Sequence, residues 1–467
     1  MPNLRIVPDN AIERATSLVA SSRAGTLAEA NLLNWKKSTF WRAASTSERI
    51  TALFTTPEPI QFMGFAFCNW SPTTMARWRV SEEGAMTNLL RQTSAFDNAL
   101  WVNTGTTVGA NATAAPDGTV TADRLIETAT TADHMMTFTV AVTAGQTYTW
   151  SLFVKADTRR RLRLAFPAAQ FAANERATFD VTSDSIPSST GGGVPTITPA
   201  GNGWDRITLT GACTTSGSAV LAVYMMTDTG TTSTSYAGAT ANGIFIWGAQ
   251  LEVGARATSY YPSGSSAGVR PAGYIDTWQS YDYDSGLVPA CPWPAAKLRG
   301  FTAAQAASAY AYGGGTYARH WLPAEMQARG LAVDINDPDN VQGYLEACSM
   351  VAGPYWSPKY NASAASVTVL DGSENFQTGG GDTCGEVGFI SDEISIDLSY
   401  FEEADRAALK VMANSSAVYP LLLSVFPDDP APARERDHMI YATRSKSSAI
   451  GTKYAAGYTT SITFKEV

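Results

Sequence analysis

Between Gln146 and Lys155 the chain alternates without a break: Tyr148, Trp150, Leu152 and Val154 fall on one face, and Thr147, Thr149, Ser151, Phe153 and Lys155 on the other. A two-residue period with large apolar groups on one side is a strand with one buried face. The same period returns in Arg161 to Phe166, Trp204 to Leu209, Ala219 to Met226 and Ile244 to Trp247, with Gly-rich or Thr-rich turns between most of them. Short strands at this spacing predict an all-β sandwich over Asn88 to Pro262.

The flanks read differently. Glu48 to Phe54 and Ile60 to Cys68 are two β-like runs, and Gln61 to Cys68 is apolar enough for a central strand buried on both faces. Thr74 to Val80 alternates again and is expected to pair with that strand across the turn Asn69 to Pro72. Composition changes at Ser81 to Gly84, and Pro262 to Gly268 is a linker of small residues; two such boundaries predict an insertion in a surface loop. Tyr317 to Leu322, Arg329 to Ile335 and Gly343 to Val351 would add strands after it. From Gly388 the texture is β-α-β-β: Ile394 to Leu398, a helix over Phe401 to Ala413 with Glu402 and Glu403 in its first turn, a buried run at Pro420 to Phe426, then Asp437 to Thr443 and Tyr458 to Phe464. The expected fold class is mainly β, two β-sandwiches with a small α+β C-terminal module. The expected domains are residues 1–86 plus 269–387, residues 87–264, and residues 388–467.

Several function classes fall away. Charged residues make up 16% of the chain and the net charge is −9, which predicts no nucleic-acid partner. Nowhere do eighteen apolar residues run together, and Met1 to Asn10 has no apolar signal core, so no membrane insertion is expected. The five cysteines are scattered and never spaced Cys-x-x-Cys, which reads as free thiols. Gly191 to Gly193, Gly313 to Gly315 and Gly379 to Gly381 lead into no Gly-Lys-Ser/Thr and are flexible connections. Asp334 to Asn340 starts like a calcium loop but has Pro338 at an alternate position, no glycine and no closing Glu. His134, His320 and His438 sit in no nucleophile or zinc motif. Without heptads or a fixed repeat, a homo-oligomer would be held by domain faces and not by a stalk.

The order of residues carries a resemblance. Asn88-Leu89-Leu90, Phe96 to Trp101, Ala115 to Gly118 followed by Ala122-Asp123, and the closing Trp247 to Glu252 with Thr258 to Pro262 resemble carbohydrate-binding-module-like jelly rolls embedded in phage virion proteins, over about 175 residues. The resemblance implies a two-sheet jelly roll that binds glycans without cleaving them, often with a structural calcium ion. The end of the Cys68-Asn69 strand, the Arg77 and Arg79 strand and the pattern Asp337-x-x-Asn340-x-x-Gly343-Tyr344 resemble the discoidin-like, galactose-binding-type sandwich of phage tail proteins. The last part resembles the terminal module of some phage tail structural proteins, an assembly surface.

These resemblances imply a virion protein of the phage tail, at the tail tip or baseplate, assembled in the host cytoplasm beside other virion tail proteins and attaching to a bacterial surface glycan. A sugar site needs aromatics for stacking and polar groups for hydroxyls. With Tyr148, Trp150 and Leu152 inward, Phe153 and Lys155 face the other way, and Arg161 and Arg163 would join them if the next strand pairs across the Asp157-Thr158 turn; Trp101, Tyr224 and Gln250 complete the candidates. A core role competes for Trp101 and Tyr224, and a solvated hairpin tip for Arg159 to Arg161. No catalytic residue is assigned and the chain is expected not to be an enzyme. The alternative is a polysaccharide- or cell-wall-degrading tail enzyme that uses the jelly roll as targeting accessory, and a jelly roll without ligand would show the same alternation.

Overall fold

Seven consecutive residues, Phe62 to Cys68, are buried because their strand is covered on both faces: Met63, Phe65 and Cys68 enter one core, and Phe62, Ala66 and Phe67 another. In this computed structural model, which describes residues 3–171, 175–279, 281–291, 298, 300–445, 449–454 and 457–467, the two runs expected at Glu48 and Ile60 are one strand, Ser47–Cys68. Thr316–Asn336 lines one edge and Glu346–Gly353 the other. Pro57, Pro59 and Pro323 donate no N–H to the ladder, and the register slips between Trp321 and Met326. The sheet runs Tyr283–Pro289, Met75–Ser81, Thr316–Asn336, Ser47–Cys68, Glu346–Gly353, Trp41–Arg42, with Ser17–Ala20 also on Ser47–Cys68.

The hairpin expected between Gln61 to Cys68 and Thr74 to Val80 is therefore corrected: Thr316–Asn336 lies between these strands and pairs with both. Charge holds it there, because Asp334 meets Arg79, whose side chain is fully buried, and also Arg49. The Asp337 carboxylate clasps the turn that follows Asn69, accepting from the Ser71 N–H at 2.9 Å, the Ser71 hydroxyl and Asn340 Nδ2 at 3.1 Å. The segment that resembled the start of a calcium loop is thus occupied by protein hydrogen bonds.

A second sheet runs Arg5–Val7, Leu421–Ser424, Met439–Arg444, Gly457–Glu466, Ile390–Phe401, Ala364–Asp371. The helix Glu403–Ser415, with Glu403 and Asp405 at its positive end, sends Leu409 and Met412 into a core with Ile394, Ile396, Leu421 and Phe464. Two strands of this sheet, Arg5–Val7 and Ala364–Asp371, come from outside residues 388–467. Both sheets belong to one unit made of Met1–Glu82, Gly273–Ile275 and Tyr281–Val467; Glu83–Ala272 with Asp276–Ser280 make the other.

The second unit is a sandwich of two six-stranded antiparallel sheets. One runs Ser185–Thr190, Arg176–Asp180, Arg161–Ala165, Gly217–Met226, Met135–Val142, Val102–Thr104; the other Val194–Gly201, Trp204–Ala212, Thr147–Lys155, Gly243–Val253, Ala122–Glu127, Thr106–Thr113. Tyr148, Trp150, Leu152 and Val154 enter the core between them with Leu162, Leu164, Leu221 and Ile207. Each such fully buried side chain contributes about 1.5–3 kcal/mol. The ends of the unit meet as Met86–Asn88 pairs with Gly268–Arg270. Asn88 is fully buried: its Nδ2 donates to the carbonyls of Ala249 and Tyr261, and its Oδ1 accepts from the N–H groups of Leu90 and Leu251. The cysteines are all free, four of them buried and Cys384 exposed.

Candidate functional site

The expected pairing across the Asp157-Thr158 turn does not form. Thr147–Lys155 lies between Trp204–Ala212 and Gly243–Val253, whereas Arg161–Ala165 crosses to the opposite sheet between Arg176–Asp180 and Gly217–Met226. The seven candidates separate accordingly. Phe153 faces outward but is 3% exposed, sealed by Trp247, Tyr260 and Trp278 at ring distances of 5.5, 6.0 and 5.7 Å. Lys155 is half-buried at the end of that strand. Gln250 is fully buried and ties the closing segment down, donating to Glu252 at 2.8 Å and accepting from the Tyr261 N–H at 2.9 Å. Trp101 is a core residue between Phe96 and Phe138, its Nε1 donating to the Gln92 carbonyl. Phe153, Gln250 and Trp101 are therefore closed to a ligand. The outer face of their sheet carries a second apolar layer, which alternation alone does not reveal.

The structure brings Arg161, Arg163 and Tyr224 together on the outer face of the other sheet. In register, Thr178, Arg163, Tyr224 and Met135 follow one another across four adjacent strands. Side chains opposite one another on one face stand about 4.5–5.5 Å apart at Cβ, so this row is a continuous surface. Arg163 is 3% exposed; Nε donates to the Thr178 hydroxyl at 3.0 Å and Nη1 to the Thr232 carbonyl at 3.0 Å, while Nη2 reaches the Thr231 carbonyl. Its partners are neutral oxygens. Burial, then the neighbouring Arg176 guanidinium, holds it below the usual arginine range. Arg161 is paired with Asp180 at 2.8 Å.

Tyr224 is the half-buried centre of this face, and its hydroxyl makes no hydrogen bond among the described residues. Burial and the Asp133 carboxylate raise its pKa, against the pull of Arg163 and Arg176. Beyond it the face is open: Arg176, Thr139 and Val220 are exposed, and Thr137 and Ala165 half-buried. A ring edge, a free hydroxyl and the exposed Arg176 guanidinium on a shallow face suit a polyhydroxylated ligand. Arg176 and Thr178 were missed by sequence reasoning; their only signal is the alternation of Arg176 to Asp180.

The three histidines have structural work. His134 is fully buried between the carbonyls of Gly105 and Tyr236, at 2.5 and 3.1 Å. His320 stacks on Trp78 at 5.8 Å and meets the Tyr283 hydroxyl at 2.7 Å, and burial pushes its pKa down to about 4. His438 caps the Arg434 carbonyl at 2.9 Å. Among the described residues no group of three or more His, Cys, Asp and Glu side chains is placed to hold a metal ion.

Asp205 is different. It is 4% exposed, and burial, then Asp184, raises its carboxyl to about 6. A carboxyl raised in the folded state costs stability once pH exceeds its unfolded value, and the full cost is reached above its folded value. Asp205→Asn is therefore expected to stabilise the chain by about 1–2 kcal/mol near neutral pH. The gain should fade as pH falls through 6 towards the unfolded value of 3.8 in urea titrations. A variant no more stable than the parent at neutral pH would refute this.

No family model matches the chain, and no curated protein matches it. Among solved structures it is similar to the crystal structure of bacteriophage CBA120 tailspike protein 4 enzymatically active domain, at 18% identity and a TM-score of 0.22, over 35% of this chain and 21% of that chain. A likeness that loose carries no argument about fold or substrate. One expectation is corrected: that neighbour is an enzymatically active domain, and the expectation that the chain is not an enzyme is withdrawn. No helix among the described residues is long and apolar enough to cross a membrane.

Proposed function

We propose that the chain is a phage virion protein of the tail that holds host surface polysaccharide on the Arg163–Tyr224–Arg176 face of its sandwich. The observation that carries this reading is the contrast between the two outer sheet faces: one is sealed by Phe153, Trp204, Trp247 and Tyr260, and the other presents a half-buried tyrosine with an unpartnered hydroxyl beside guanidinium groups. The order Asn88 to Asp123 and Trp247 to Pro262, which resembles carbohydrate-binding-module-like jelly rolls of phage virion proteins, supports the setting. In that setting the unit built from both chain termini faces other tail proteins, as a discoidin-like sandwich and an assembly module would. A structural calcium ion and a homo-oligomer belong to the same proposal, and several copies would make weak sites effective through avidity.

Attachment and cleavage both require that the polysaccharide be held, so one experiment addresses both. The intact chain is applied to purified bacterial surface polysaccharides, with retention and release of reducing ends measured together. Tyr224→Ala is expected to lower affinity about tenfold or more without changing the melting temperature. Unchanged retention in that variant, or no retention on any bacterial polysaccharide, would discard the site.

A further inference from the structure

The unit built from both chain termini holds a cavity of about 230 Å³, below the 300–1,000 Å³ usual for drug-sized ligands and suited to one small ring. Phe67, Tyr310, Tyr312 and Tyr317 give it aromatic walls. Its charged lining is Lys37, Arg436, Asp392, Asp437 and Glu466, three carboxylates against two cations. Glu466 is taken: Lys37 Nζ lies 2.9 Å from one oxygen and the Tyr317 hydroxyl donates to the other at 2.7 Å. Arg436 Nη2 pairs with Asp437 at 2.6 Å.

Asp392 has neither an ion pair nor a hydrogen bond among the described residues. A carboxylate in a cavity without a partner gains from a cationic ligand that satisfies it.

We propose that this cavity binds a small organic cation, a protonated primary amine on one small ring, with the ammonium on Asp392. One unmatched carboxylate calls for one positive charge, and aromatic walls add cation–π attraction. A divalent metal would want more oxygen ligands than Asp392 supplies. This inference concerns the cavity alone and stands whether or not Tyr224 holds polysaccharide. The protonation state follows in sign: burial first, then Glu466, raises the Asp392 carboxyl to about 6, with Asp437 adding to the rise and Lys37 and Arg436 opposing it. The ammonium therefore binds best above that value.

The test uses the intact chain and three matched probes, glucosamine, N-acetylglucosamine and glucose, followed by calorimetry or ligand-observed NMR. Glucosamine is expected to bind about tenfold or more tightly than the two neutral sugars, and to weaken as pH is lowered through 6. Asp392→Asn should remove that preference, while Tyr224→Ala leaves glucosamine binding intact. Equal binding of the three probes, no binding of any, a preference that survives Asp392→Asn, or its loss in Tyr224→Ala would each overturn the proposal. If Asp392→Asn fails to fold, the preference of the parent for glucosamine over glucose and its pH dependence decide.

Discussion

Replacing Arg270 by alanine is expected to cost about 3–5 kcal/mol and to lower the melting temperature of the Glu83–Ala272 unit by about 10 °C. The guanidinium is fully buried; Nη1 reaches Glu83 and the Ser259 hydroxyl, and Nη2 donates to the Gly84 carbonyl at 2.9 Å. Glu83 is buried too and accepts from the Ser259 N–H at 2.9 Å. Together they tie the first residues of the unit to its closing segment. Truncating Arg270 removes the buried guanidinium that balances Glu83 in a low-dielectric site, and that penalty dominates the loss of the pair itself. The double variant Glu83→Met with Arg270→Met should accordingly recover most of the stability that Arg270→Ala loses. Thermal denaturation of the intact chain decides: a melting temperature within about 1 °C of the parent would mean that the pair carries no stability.

Local periodicity made the strand interiors legible. Tyr148 to Val154 alternates so regularly that its inward face follows directly, and the apolar run Gln61 to Cys68 announces a strand buried on both faces. Pairing was not legible, because a strand has the same period whichever partner it takes. The expected pairing therefore put Arg161 and Arg163 on the face of Phe153 and Lys155, whereas Arg161–Ala165 lies in the opposite sheet. The second layer over Phe153 comes from segments more than ninety residues away, Trp247, Tyr260 and Trp278, and no local pattern signals it. Arg5–Val7 is too short for any period to show, yet it completes a sheet edge on Leu421–Ser424. The cavity at Asp392 is the extreme case, because Lys37, Tyr317, Asp392 and Glu466 are brought together only by the fold.

Glu127→Ala should be as damaging as the loss of Arg270, about 3–5 kcal/mol, and it should also weaken ligand binding. Glu127 is fully buried and surrounded by donors: Arg159 Nε at 2.7 Å and the Tyr236 hydroxyl at 2.8 Å on one oxygen, the Ala239 N–H at 3.0 Å and Asn242 Nδ2 at 3.1 Å on the other. Burial alone would raise its pKa, but these donors together outweigh it and hold the carboxyl below its usual value. The stabilisation is therefore fully present above the unfolded value of 4.5 and is lost as pH falls through the lower folded value. The stability gap between parent and variant should be widest near neutral pH and narrow in acid. Glu127 anchors Tyr236, Ala239 and Asn242, directly after the turn whose Gly230, Thr231 and Thr232 carbonyls hold Arg161 and Arg163. Releasing that segment loosens one end of the proposed polysaccharide face. Glu127→Ala thus loses stability and affinity together, Tyr224→Ala loses affinity alone, and a Glu127→Ala variant with parental affinity would show that the 230–242 segment takes no part in holding the ligand.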